Sequence, residues 1–387
     1  MTKYESDFQK ILQAETVSVC GQTDLTKFRK FHKLLAELFP ALWGVSTVED
    51  FNGSLLIKWP GKNANSPMLF MNHHDVVEAT GAWSHDPFAA EIVDGKIYAR
   101  GAVDTKGGLF AMLEAADEMA ASGFVPECDI YFESACNEEI SGEGAREIAA
   151  ELAKRNIRFK LILDEGGGVF DDVAMIGIGE KGVTDLRFIA RSAGGHASRP
   201  PKNQPFVKLA KFISYTEDHL DEIFPKKVNE QTGEIQQTSL AFTVAKGSEG
   251  NNVLPVEASI VGNMRSSHHQ TVDGSIDAIT KLAASFGVET EVMFHGETSA
   301  IADFSSDACG KLKDVIQKFW PGVKIVPTIM TGATDECYMC SLSDSPVRFS
   351  PFRYTEEQKN SIHSIDENVD VATLPVAVDF FKEIYKL

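Results

Sequence analysis

Cysteine is scarce, positive charge is outweighed, and long apolar runs are missing. Six cysteines in 387 residues are too few for a disulfide scaffold, so reduced thiols and a cytoplasmic location are expected. Lys and Arg number 37 against 56 Asp and Glu. The resulting formal net charge of −19, with no basic run, argues against nucleic acid as a partner. No stretch approaches the length of a membrane span, and the opening MTKYESDFQK has no signal-type hydrophobic region. HExxH, P-loop and GxSxG motifs are also missing. The chain that remains is acidic and of ordinary hydrophobicity, and long enough to expect two cores.

Apolar spacing predicts a helix over 24–39, stopped by Pro40, and strands at 54–60, 68–77, 129–137 and 159–167. A helix from about 106 to 122, ended by Gly123, lies between the second and third strands. This alternation is α/β, with helices on both faces of a mixed sheet. After residue 182 the rhythm turns to alternating strands around helices at 205–222 and 271–286, a smaller α+β segment. The α/β pattern returns with helices at 306–319 and 371–386. The expected division is a main domain of 1–182 and 295–387 interrupted by an inserted domain of 183–294.

Carboxylates and histidines gather at the predicted strand ends, where open α/β sheets place their sites. In MNHHDVVE, alternation along a strand puts His73 and Asp75 on one side, a histidine with a carboxylate able to fix its tautomer. Asp104 precedes a helix and could equally be its N-cap. Glu138 and Glu139 adjoin a Gly-rich turn and could divide a ligand and a base role between them. Asp164 and Glu165 end another strand, and His363 stands near the carboxyl end. Each cluster alone also fits a solvated loop.

In this order the strings HHDVV, WSHDPF, GKIYARGAVDTKGG, NEEISGEGA, LDEGG, AGGHASRP, NNVLPVEASIVGNMR, TGATDE and IHSIDENV form a pattern. From about residue 50 onward the chain resembles the co-catalytic metallopeptidase and amidohydrolase family of glutamate carboxypeptidase, acetylornithine deacetylase, succinyl-diaminopimelate desuccinylase and aminoacylase. LDEGG is most similar to the carboxypeptidase S branch. The resemblance implies two divalent ions, zinc or else cobalt or manganese, held by His73, Asp104, Glu139, Asp164 and His363. Asp104 would bridge them, and Asp164 is favoured over Glu165. Asp75 would orient His73, and Glu138 would be the general base toward a water shared by the ions. Glu78 stands where the family commonly has Pro.

The inserted domain would then be a lid and a homodimer interface. Its His196 would help hold the oxyanion, and Asn252 and Arg265 would face substrate. Gly332 and Thr334 would line the same pocket from a main-domain loop. The implied reaction is hydrolysis of a peptide or amide bond in a small substrate carrying a free carboxylate, by an exopeptidase or N-acyl-amino-acid deacylase. A dipeptidase or aminopeptidase of the same family, or a binding protein on this fold, are the alternatives. GIGEKG at 177–182 spells a dinucleotide fingerprint but precedes a strand, so it is expected at a domain junction. CYMC is a lone CxxC with no second pair.

Overall fold

The computed structural model describes residues 1–140 and 142–387; Ser141 of NEEISGEGA lies outside them. It divides the chain into two units, Met1–Gly179 with Ala300–Thr328 and Thr334–Leu387, and Glu180–Ser299 with Ile329–Ala333. The first break falls within the GIGEKG stretch. Residues 329–333, expected in the main domain, group with the inserted unit, and Gly332 goes with them. Among the described residues, no helix is long and apolar enough to cross a membrane.

The larger unit is built on a mixed sheet. Its centre is four parallel strands in the order Cys128–Ser134, Asn63–Met71, Leu161–Asp164 and Pro346–Arg348. Ser54–Trp59 joins Cys128–Ser134 antiparallel, and Thr47–Phe51 joins Ser54–Trp59. Cys128–Ser134 is buried along its whole length, as a strand covered on both faces requires. Helix Lys106–Ala121 packs beside Leu374–Ile384 and Lys3–Gln13. Its Ala- and Gly-rich sequence leaves 13 residues buried, the pattern of a helix enclosed by protein on most sides.

Aromatic residues fill the space between sheet and helices. Phe70 lies 4.9 Å from Tyr385, 6.1 Å from Phe132 and 6.2 Å from Phe381, centroid to centroid. The Tyr385 hydroxyl donates to the Met112 carbonyl at 2.8 Å. Because Phe70 is fully buried three residues before His73, Phe70→Ala should destabilise this unit by about 3–5 kcal/mol. Denaturant unfolding checks this, and a loss below about 1 kcal/mol would mean that the cluster closes over the cavity.

The strands end earlier than expected. Asn63–Met71 stops at Met71, so His73 and Asp75 lie in the loop beyond its carboxyl end and do not alternate within a strand. At such ends the chain leaves the ladder and side chains can turn toward a common crevice. Gly108 keeps this loop close to the helix, since a Cβ there would fall 1.9 Å from Asn72 Oδ1. Asn72 Oδ1 in turn accepts the Thr105 hydroxyl at 3.0 Å, tying the His73 loop to the Asp104 loop.

The inserted unit is α+β. Its antiparallel sheet runs Ser239–Lys246, Glu257–Ser266, Gly182–Arg191, Glu289–His295. Helices Pro205–Asp218 and Val272–Ser285 contribute Leu209, Phe212 and Ile279 to a core shared with Leu186, Phe188, Ile260 and Met264 of the sheet. A two-stranded ribbon pairs Gly195–His196 with Val253–Leu254.

Candidate metal centre

Three loops of the larger unit bring Asp104, Glu139 and Glu165 to two imidazoles. His73 Nε2 lies 3.1 Å from Asp104 Oδ1 and 3.2 Å from Glu165 Oε1. His363 Nε2 lies 3.1 Å from Asp104 Oδ2 and 2.9 Å from Glu139 Oε2. Asp104 therefore turns one oxygen to each histidine. Among the described residues two groups of potential ligand atoms result, His73–Asp104–Glu165 and Asp104–Glu139–His363, the atoms of each within 4.8 Å of one another.

These donors fit divalent ions. Zinc ligands at about 2.0–2.1 Å in a tetrahedral shell lie about 3.4 Å apart, close to the spacings above. Mixed imidazole and carboxylate donors suit zinc, cobalt or manganese. Among the described residues, Glu139 Oε1 is buried with no hydrogen-bond partner, an acceptor that a cation would satisfy.

Electrostatics point the same way. Burial pushes the Glu165 carboxyl up to about 7, helped by Asp104 and Asp164 and opposed by His73. Burial also raises Glu138 well above the carboxylate range, with Asp335, Glu165 and Glu139 adding to it against His73. Burial disfavours the His73 imidazolium, yet Glu165, Asp104 and Asp75 hold its pKa well above the ordinary value. Hydrogen bonds to Asp104 and Glu139 raise His363 to about 10. This much buried negative charge calls for cations.

Asp75 organises the loop behind the site. Its Oδ1 and Oδ2 accept the backbone N–H groups of Glu138 and Glu139 at 3.1 and 3.2 Å. His73 Nδ1 donates to the Asp75 carbonyl at 2.9 Å, leaving Nε2 for the cluster. Glu138 Oε2 stands 3.9 Å from His73 Nε2 and is a member of neither ligand group.

The sequence model of peptidase family M20/M25/M40 matches residues 69–386. The chain belongs to this family. M20 relatives include "Probable carboxypeptidase S-like 2" of Dictyostelium discoideum, 26% identical over 93% of this chain and 79% of that protein. Another is the Homo sapiens "N-fatty-acyl-amino acid synthase/hydrolase PM20D1", 27% identical over 96% of this chain and 85% of that protein. Among solved structures, the M20 family metallo-carboxypeptidase Sso-CP2 from Sulfolobus solfataricus has a similar fold. Its TM-score is 0.78 at 18% identity, covering 100% of this chain and 99% of that one. The di-peptidase Dug1p of Saccharomyces cerevisiae gives a TM-score of 0.76 at 14% identity, over 99% and 96% of the two chains. The protein is thus a metal-dependent hydrolase of peptide or amide bonds, on the carboxypeptidase S-like side of M20.

Against the expected M20 site residues, the geometry brings His73, Asp75, Asp104, Glu138, Glu139 and His363 together. Asp164, expected as a ligand, is not in the group beside His73, where Glu165 stands instead. Asp164 Oδ1 accepts the N–H of Glu165 at 2.8 Å. Its Oδ2 accepts the Thr334 hydroxyl at 2.7 Å and the Glu336 N–H at 3.1 Å. Thr334, expected to line the pocket, is buried with its hydroxyl on Asp164.

The remaining residues lie in the inserted unit. His196 is exposed on the ribbon, and Asn252 joins it there by accepting the Ala197 N–H on its carbonyl at 2.9 Å. His196 Nδ1 accepts the Ser198 N–H at 3.2 Å, which leaves the proton on Nε2. Arg265, half-buried, donates from Nε to Asn263 Oδ1 at 2.8 Å. Among the described residues, nothing lies within 4 Å of where a Cβ on Gly332 would stand, so their packing places no demand for glycine there.

Bound ions should therefore stabilise the fold. One ion at a thousandfold excess over its Kd contributes about 4 kcal/mol, so a chelator should lower Tm by several degrees and added zinc should restore it. Calorimetry on metal-loaded and chelated protein measures the difference; an unchanged Tm would contradict a resident metal.

Proposed function

We propose that the chain is a dinuclear exopeptidase or N-acyl-amino-acid deacylase. Its substrate is a small peptide or N-acyl amino acid carrying a free carboxylate. The observation that carries the reading is Asp104, whose two oxygens each meet a different imidazole at 3.1 Å. His73, Asp104 and Glu165 would hold one ion, and Asp104, Glu139 and His363 the other. Bound there, two divalent ions supply Lewis acidity toward the amide carbonyl and toward water.

The rest of the chemistry belongs to side chains. Glu138, raised in pKa by burial and outside both ligand groups, takes a proton from water and delivers it to the leaving amine. Its neighbour Glu139 is committed to the ligand set, so the adjacent pair divides two roles. Asp75 keeps both in register through their backbone N–H groups and sets the His73 tautomer. The roles expected for His196 toward the oxyanion and for Arg265, Asn252 and Gly332 toward the substrate belong to the same proposal. Water adds across the amide, giving a carboxylic acid and an amine.

The names of the relatives support this substrate class. Both a carboxypeptidase and an N-fatty-acyl-amino-acid hydrolase release an amino acid with a free carboxylate. Zinc as the native metal, a homodimer through residues 183–294 and a cytoplasmic location are parts of the same proposal.

The test is hydrolysis of matched substrates by zinc- or cobalt-loaded protein: free dipeptides beside the same residues N-acylated, with a chelator control. Chelator-sensitive cleavage of the acylated set is expected. Cleavage of free dipeptides alone would make the protein a dipeptidase, and cleavage of neither would reject the proposal.

A further inference from the structure

Glu367 is fully buried four residues beyond His363, and its carboxylate is spent on the loop that ends in Asp104. Oε1 accepts the backbone N–H groups of Val103 at 2.8 Å and Asp104 at 3.0 Å. Oε2 accepts the N–H of Gly101 at 3.1 Å and Nη1 of Arg100 at 2.8 Å. Arg100, itself 2% exposed, sends Nη2 to the Ser364 carbonyl at 2.9 Å. Strand Asn368–Asp370 then pairs antiparallel with Lys96–Tyr98.

A carboxylate buried this deeply is costly unless its lone pairs are met by donors and its charge by a cation. Here four donors meet it, and all come from one five-residue stretch. The segment it anchors is itself constrained: His363 and Asp366 hold φ at 58° and 56°, the left-handed region that side chains with a Cβ rarely adopt. Such backbones persist where the surroundings over-determine them. Glu367 joins two segments, and each carries a ligand of the second group, Asp104 and His363.

We propose that Glu367 is a positioning residue of the metal centre. Its carboxylate fixes residues 101–104 against the His363 segment, so that Asp104 reaches His363 with one oxygen while keeping His73 with the other. The inference rests on reading Asp104 and His363 as ligands. It predicts the larger effect on the His363 side, where Glu367 holds the segments of both Asp104 and His363. Glu367→Gln puts an amide N–H where an acceptor faced backbone and guanidinium donors, and Glu367→Asp keeps the charge but withdraws it by one methylene. Partners behind a ligand typically change metal affinity 10- to 100-fold when altered, and that is the loss expected here for one of two ions.

Cobalt(II) titration followed by visible absorption and calorimetry reads each ion separately. The control is Glu114→Gln, which alters another buried carboxylate, one paired with the exposed Lys3 and ten residues beyond Asp104. In the expected result both Glu367 variants weaken one cobalt equivalent 10- to 100-fold and alter its spectrum, whereas Glu114→Gln leaves both equivalents unchanged. Wild-type affinity for both ions in either Glu367 variant would overturn the proposal, as would an equal loss in Glu114→Gln. If Glu367→Gln does not fold, Glu367→Asp decides. Asp104→Ala separates the two readings: two ions bound as in wild type would overturn the ligand assignment itself, and the role of Glu367 with it.

Discussion

Glu138→Gln should lower kcat by about 10²–10⁴-fold while both metal ions stay bound. Glutamine keeps the shape and the backbone hydrogen bond to Asp75 but cannot take a proton from water. No ligand is lost, because Glu138 lies outside both metal groups. KM should change little, since the side chain acts on the proton and not on the substrate's fixed groups. The same variant should also be more stable than wild type without metal. Burial and the neighbouring carboxylates raise the pKa of Glu138, so its ionised form opposes folding at neutral pH, and the amide removes that opposition. Activity lost and Tm gained in one substitution is the signature of a catalytic carboxylate held where the fold disfavours it. Metal analysis, steady-state kinetics and calorimetry on one preparation check all three; turnover near wild type would remove Glu138 from the base role.

What was legible in sequence was the chemistry, more than its exact placement. Glu138 and Glu139 could be read as a divided pair because they follow an apolar strand and precede a Gly-rich turn, although adjacent acids alone also fit a solvated loop. The α/β rhythm was equally visible, since Cys128–Ser134 and Leu161–Asp164 are short apolar runs of the kind buried parallel strands require. Strand ends were less visible. Hydropathy continues through MLFMNHHDVV although the ladder stops at Met71, because the loop beyond it is buried as deeply as the strand. Glu367 gave no sign of itself, as an acid between Asp366 and Asn368 reads as solvated until the fold encloses it. The available signal was its place just before Val369, which is fully buried, and four residues after a candidate ligand.

The hardest choice in the sequence was between Asp164 and Glu165, and it leads to the second large effect. Asp164 is the last residue of a strand, and its oxygens already carry three donors, from Glu165, Thr334 and Glu336. Glu165 is one residue further and one methylene longer, and its Oε1 comes to 3.2 Å from His73 Nε2. Successive side chains at a strand end point to opposite sides, so only one of the two can face the histidine. Glu165→Ala should therefore bind one ion in place of two and lose at least about 10³-fold in kcat/KM, because an ion on the scissile carbonyl contributes several kcal/mol. Asp164→Asn should keep two ions, weakened about 10- to 100-fold, since it acts through the backbone of Glu165. Metal counted after dialysis, with kcat/KM measured on the same samples, separates the two. One ion in Asp164→Asn and two in Glu165→Ala would return the ligand role to Asp164 and require the 164–165 turn to rotate when metal binds.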